Sequence, residues 1–422
     1  MKKNTHAGLR TLGALKALNF FMADMQAGIG PFLGIFLLSK GWQSGPIGTV
    51  MSLGGVAGML MTTPAGAVID STNHKRRFVI LPGIFTVIAS ALILLSQNFW
   101  VVSLSQVATA IAGAAIGPAV VGITLGIVKQ KGFNRQNGLN QAFNHAGNVA
   151  GAALSGYLGL KWGMTAIVLL AALFGVLTII SVLMIPADSI DNKAARGMKS
   201  DAEQDEKASG LSTLLKCKPL LILAAALACF HLGNGALLPL YGMAAASKMQ
   251  ENAYMFVALT VIIAQIVMIL ASIAGMKIAE KNGYWMIMLV SFLSLPLRGF
   301  IASQMIGEVG LYPVQILDGI GAGLQSVAVP GLVAHILNGT GRINIGQGAV
   351  MTVQGVGAAL SPAIGGWIAQ QMGYSSAFLI LGSIAVISIA LWLINAKTMK
   401  KNVRPPKPAQ SPLKIKILHF SG

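Results

Sequence analysis

The chain is dominated by apolar runs too long for a soluble core. Hydropathy divides it into twelve of them, at residues 12–38, 46–69, 77–96, 100–128, 139–160, 164–186, 219–244, 253–276, 284–304, 310–337, 346–369 and 375–396. Most exceed the ~20 residues that an α-helix needs to cross the hydrocarbon core of a bilayer. In lipid, every backbone N–H and C=O must be satisfied internally, so runs of this length predict membrane-spanning helices. Composition agrees. Only 10% of the residues are charged and mean hydropathy is +0.71, against roughly 25% charged in soluble domains. The expected class is an all-α integral membrane protein.

The formal charge is +18, from 30 Lys and Arg against 12 Asp and Glu. Its placement decides its meaning. With both termini on one side, that side holds all the basic residues except Lys40, Lys161, Lys248 and Arg298, the last inside span nine. This is the positive-inside bias. It predicts cytoplasmic termini, suits a bacterial inner membrane, and explains the basicity without a nucleic-acid partner. Trp100, Trp162 and Trp367 are expected near the outer interface, and Trp285 and Trp392 near the inner one. The first apolar run is too long for a signal-peptide core, contains Asp24 and lacks a small-residue cleavage pattern. Cys217 and Cys229 fall about 18 Å apart along one helix, too far for a disulfide.

The organisation is bipartite. The longest polar interruption, Ala187 to Lys218, reads as a mobile cytoplasmic linker between a first six-span unit (1–186) and a second (219–396). The segment 397–422 is basic and Pro-containing, and is expected to be unfolded near anionic headgroups. A shift of 206 residues aligns "GAALSGYLG" from Gly151 with "GAALSPAIG" from Gly357, and also pairs Gly113 with Gly319, Gln141 with Gln347 and Asn148 with Gln354. The repeat predicts two related six-helix bundles, with a substrate site near midplane between them.

Between spans two and three stands "GAVIDSTNHKRR", Gly66 to Arg77. This resembles the cytoplasmic loop signature of the major facilitator superfamily of secondary transporters. The resemblance covers the whole chain through its twelve spans, central loop and repeat. It implies two pseudo-symmetric six-helix bundles around a central cavity. It also implies that Gly66 permits close helix approach, that Asp70 caps a helix or pairs in a cytoplasmic gate, and that Lys75, Arg76 and Arg77 are the basic cluster of that gate. Ser71 and Asn73 depart from the family pattern, and the second half keeps only "GMKIAEKNGYW" from Gly275.

In span five, "GNVAGAALSG" from Gly147 resembles an exporter-associated motif of that superfamily, with Ala152 in place of its proline. The proline appears in the second copy, as Pro362 before Gly365 and Gly366. Gly147, Gly151, Gly365 and Gly366 would let spans five and eleven pack closely, with a bend at Pro362. Simple packing is the plainer alternative. Many proton-coupled exporters of the family carry an arginine in span four. Here Thr109 occupies that position, and the paired place in span ten is Gln315, with Asp318 three residues on.

Ionisable groups at bilayer depth are costly and are candidate functional groups by default. Asp24 lies near midplane in span one. His231 is its counterpart in span seven, and the same shift pairs Gly28 with Gly235. The pair could carry a proton as the cavity changes face, contact a cationic or metal-bearing solute, or merely bond neighbouring helices. Two such side chains make a poor closed metal site, so no resident metal or other cofactor is expected.

Span five opens with a one-face stripe of Asn137, Asn140, Gln141, Asn144, His145 and Asn148. Gln347 and Gln354 repeat part of it in span eleven. Gln26, Asn234 and Gln325 join these as candidate polar cavity-lining residues, with helix–helix hydrogen bonding as the alternative. Arg298 and Asp318, at similar depth on adjacent spans, are expected to form an intramembrane ion pair, with Glu308 as competitor. The pair would hold or gate the outer face of the second half, or bind an anionic substrate group.

No phosphate-binding loop, zinc-protease or nucleophile-elbow motif occurs in the sequence, so no enzymatic role is expected and a gradient would supply the energy. The leading expectation is a monomeric secondary transporter exporting a small organic solute by alternating access, proton-coupled through Asp24. The solute could be drug-like, chelator-like or a metabolite. Uptake of a nutrient such as an amino acid or iron chelate, ferroportin-like metal export, and a non-transporting receptor or scaffold are the alternatives.

Overall fold

The computed structural model describes residues 2–195, 216–248, 252–338 and 343–401. Regular structure among them is entirely helical. Among the described residues, eleven helices are long and apolar enough to cross a membrane. One of these, Arg135–Leu183, has 49 residues, roughly 74 Å of helix and more than twice the hydrocarbon thickness. It folds back at Gly163, where φ is 69°, a backbone region that glycine enters without steric cost. Beyond the turn, Ile167 packs against Gly159. The helix therefore supplies spans five and six. Lys129, with φ 56°, separates span four, Phe99–Lys129, from span five.

Spans one and seven are each broken. Span one runs Lys2–Ala27, pauses at Gly28 and Ile29, and resumes as Gly30–Ser39. Pro31 lies in the first turn of the second piece, where its missing N–H costs nothing. Span seven runs Lys218–Asn234 and resumes as Leu237–Ala246. The two breaks occupy equivalent places in the repeat. Proline does not always break a span: Pro362 sits inside the helix Ile343–Met372.

The first half has its own core, in which Leu15, Leu18, Val79, Ile116, Ile123 and Phe174 pack together. A larger core belongs to the second half, and the far piece of span one joins it: Phe32, Leu33 and Phe36 cluster with Leu240, Tyr241, Phe256 and Val257. The halves thus meet toward the face opposite the termini. On that side, span two meets span eleven through main-chain approach. Ser44 Oγ donates to Gly366 O at 3.0 Å, Gln370 Oε1 accepts from Gly45 N at 3.1 Å, and Ala363 N donates to Ser52 Oγ at 2.8 Å. Gly48 lies directly against the Pro362 carbonyl, too close for any side chain. Spans five and eight form the second seam, with Gly156 on Ala258 and Gly159 on Tyr254. Toward the terminal face the same helices expose Leu60, Met61, Gln141, Met351 and Thr352.

Three expectations need correction. Trp392 is fully buried and its Nε1 donates to Trp285 O at 3.1 Å, so it is a core residue rather than an interfacial one. The start of the expected mobile linker is ordered: buried Ile190 and Ala195 anchor it, and Asp191 N donates to Gly126 O at 3.1 Å. The segment expected to be unfolded from Lys397 begins as a helix, Ala396–Lys401. Met399 is buried there and Lys400 Nζ lies 4.1 Å over the Trp285 ring. In each case apolar burial overrides a locally polar context. The rest of the linker and tail, 196–215 and 402–422, lies outside the described residues.

Candidate functional site

Asp24 occupies the last turn of the first piece of span one, four residues before the break. It is 2% exposed, and its Oδ2 has no hydrogen-bond partner among the described residues. Two glycines make room for it. A Cβ at Gly28 would come within 2.5 Å of Asp24 Oδ1, and a Cβ at Gly151 would overlap the carboxylate. One turn away, Gly147 brings span five onto the Phe20 carbonyl of span one. The small residues of the "GNVAGAALSG" stretch therefore seat span one against span five. In the second copy, Gly365 meets Ala236 and Leu240 of span seven, and Gly366 meets Ser44 of span two.

The amide stripe of span five divides. Asn140 Nδ2 donates to Thr124 Oγ1 at 3.0 Å and Asn144 Nδ2 to Asn19 O at 3.4 Å, so these two tie neighbouring helices. Asn148 Nδ2 reaches Asn144 Oδ1 at 3.3 Å. Gln26 Nε2 donates to Gly113 O of span four at 3.5 Å. Gln141 is exposed, and Gln347 and Gln354 are half-buried. His145 crosses between the halves: its Nδ1 lies 2.7 Å from Gln265 Oε1 of span eight.

The second half holds a connected polar cluster. Arg298 Nη1 lies 2.6 Å from Asp318 Oδ1 and donates to Asn234 Oδ1 at 2.7 Å. Glu308, the competing partner, is exposed at the end of span ten. Asn234 is the last helical residue before the break of span seven, so the guanidinium ties that break to span ten. His231, one turn earlier and half-buried, sits against Gln325 and within electrostatic reach of Asp318. Gln325 Nε2 donates to Ser291 Oγ at 2.9 Å. The interactions of Asp24 thus run to span five and those of His231 to span ten, and none joins the two directly.

The loop Gly66–Arg77 lies on the terminal face. Lys75 is buried and its Nζ donates to Ile69 O at 2.7 Å, closing its own turn, while Arg76 Nη1 donates to Ile185 O at 2.7 Å beyond span six. A Cβ at Gly66 would meet nothing within 4 Å. Asp70 and Arg77 are exposed.

Gln265 was not singled out in the sequence, although its signal matches that of Asp24: one polar residue within the apolar run "VIIAQIVMIL". Ser44, Ser52 and Gln370 were also missed. Their partners lie more than 300 residues away, so no local pattern marks them.

The Major Facilitator Superfamily model matches residues 17–344 and 299–421. An uncharacterised MFS-type transporter of Mycobacterium tuberculosis is 36% identical over 399 residues, covering 94% of this chain and 95% of its own length. Among solved structures, a variant of the nucleoside transporter NupG superposes with a TM-score of 0.78 at 15% identity, covering 91% of this chain and 99% of its own. A bacterial homologue of the human lysosomal transporter Spinster gives 0.75 at 14% identity, with 95% and 99% coverage. At these identities the two structures speak for the fold alone. The chain is a secondary transporter of the Major Facilitator Superfamily.

Proposed function

We propose that this transporter couples protons to the export of a small organic solute, with Asp24 as the coupling group. The observation that carries the reading is the setting of that carboxylate. It is buried beside the break in span one, wedged between Gly28 and Gly151, with one oxygen unpartnered among the described residues. An ionised carboxylate buried without a partner is strongly disfavoured; taking up a proton removes the charge and releasing it restores it. Movement at the break would alternate Asp24 between this dry seat and a wet cavity, which is the condition for coupling.

On the positive-inside reading, with the protein in a bacterial inner membrane, the terminal face is the cytoplasmic one. The conformation is then inward-open, with the span two–eleven and five–eight seams closing the outer side. Rocking the halves would open those seams and bring the loop with Asp70, Arg76 and Arg77 to the cytoplasmic mouth as a gate. Each chain contains both halves and so one full pathway, which makes a monomer sufficient. The exporter-like small-residue stretch seats Asp24 itself, which favours export over uptake. The test is the sign of coupling. In proteoliposomes, a solute that stabilises the purified protein should move against an imposed proton flow. Movement with the protons would make the protein an importer, and indifference to the gradient would remove proton coupling.

A further inference from the structure

Two buried side chains of the second half carry hydrogen-bonding groups that no described protein atom satisfies. Arg298 is 1% exposed, and its Nε and Nη2 are without partners. Gln315 is fully buried, and both its amide oxygen and nitrogen are without partners. Such burial is costly, because hydration is lost and nothing replaces it. The remaining guanidinium nitrogen is engaged, since Nη1 meets both Asn234 and Asp318.

The unpartnered atoms are not scattered. Nε–H and Nη2–H point the same way from one edge of the guanidinium plane, forming the fork that matches the two oxygens of a carboxylate. Gln315 precedes Asp318 by three residues on the same face of span ten. Its amide carries one further donor and one further acceptor without partners. The free edge is closed off from solvent in this conformation, while the Asp318 side chain next to it is 16% exposed and Asn234 and His231 are half-buried, so a solute would reach it by movement on that side. Asp318 and Asn234 hold Nη1 and so fix the direction of the free edge, which makes them positioning residues.

From this geometry we infer that Arg298 and Gln315 form an anion subsite for the transported solute, and that the solute is a small organic carboxylate. The inference rests on the transporter reading above but not on its proton coupling. A carboxylate at this edge completes the bonding of a buried cation that Asp318 satisfies on one side only. The corresponding neutral amide lacks the second acceptor oxygen and the charge, and it is rejected.

The test is equilibrium binding, without any gradient, to the full-length protein in detergent. Acetate, lactate, succinate and benzoate are compared with their amides by thermal stabilisation and calorimetry. At least one acid is expected to bind while its amide does not. Arg298→Lys keeps the charge but loses the fork, and should weaken that acid at least tenfold. Gln315→Leu removes only the unsatisfied amide; it should weaken the acid several-fold while leaving the unliganded protein as stable as before or more so. Amides binding as well as acids, no acid binding, or acid affinity unchanged in both variants would overturn the assignment. If Arg298→Lys fails to fold, Gln315→Leu decides alone, and an unchanged affinity there overturns it. Because no gradient is applied, the outcome is independent of whether Asp24 couples protons.

Discussion

The Asp24 carboxylate sits in a notch left by Gly151: a methyl group at position 151 would overlap Asp24 Oδ1 and come within 2.5 Å of its Cγ. One residue of span five therefore sets the seat of a residue of span one. Gly151→Ala should destabilise this conformation by about 1–3 kcal/mol, the usual cost of overpacking, and should impair transport. Thermal unfolding of the purified variant measures the first effect. Because the two side chains would compete for one space, combining Gly151→Ala with Asp24→Ala, which empties the notch, should be non-additive by more than about 0.5 kcal/mol. Strict additivity would mean that Asp24 moves freely out of the notch.

His145 and Gln265 bridge the halves at 2.7 Å, and the bond must break whenever the outer seam opens. Gln265→Leu removes it at a cost of about 0.5–1.5 kcal/mol, shifting the equilibrium toward the outward-open state by roughly two- to tenfold. Ser52 lies in the span two–eleven seam and reports the shift. With Cys217 and Cys229 replaced by serine, Ser52→Cys should react faster with a membrane-impermeant thiol reagent from the outer side when Gln265→Leu is present. An unchanged rate would show that the bond does not bias the cycle.

The Arg298–Asp318 pair predicts a particular pattern of rescue. Arg298→Met alone leaves a carboxylate and Asn234 without their cation inside the bundle, and should cost about 3–5 kcal/mol. Arg298→Met with Asp318→Leu removes both charges and should regain most of that stability, while abolishing carboxylate binding. Thermal melts and the acid–amide comparison read the two effects separately.

Outside the membrane, Asp191 caps the short helix Asn192–Ala195 by accepting from Ala194 N and Lys193 N, both at 3.1 Å, and lies 3.4 Å from Lys129 Nζ. The Ala194 N–H, chiefly, holds its carboxyl below the ordinary 3.8, with Lys129 contributing. A carboxyl whose folded-state pKa is lowered stabilises the fold above its ordinary value and loses that contribution as pH falls through the lowered one. Hydrogen exchange across Ile185–Ala195 should therefore be protected at neutral pH and become less so below about pH 4. Asp191→Asn should remove that acid dependence. The same dependence in the variant would place its origin elsewhere.

Legibility in the sequence followed the range of the interactions. The spans were legible because bilayer thickness imposes a length on every run. Gly28, Gly30 and Pro31 mark a bend just beyond Asp24, and the repeat pairs Gly28 with Gly235 without itself showing a second break there. Arg298 and Asp318 were legible as a pair because adjacent antiparallel spans place them at one depth. The notch at Gly151 was not, since a glycine in a small-residue stretch does not reveal which side chain fills its space. Gln265 could have been found by the depth argument that selected Asp24. Trp392 misled because a span-end tryptophan looks interfacial whether it faces lipid or, as here, the Trp285 carbonyl.

The central claim is that Asp24 carries the coupled proton. Its most direct test is solute flux in proteoliposomes, comparing wild type with Asp24→Asn, which keeps the shape of the side chain and removes its titration. The account predicts that a pH gradient drives accumulation in wild type only, while both proteins exchange labelled for unlabelled solute in its absence. Gradient-driven accumulation persisting undiminished in Asp24→Asn would contradict it.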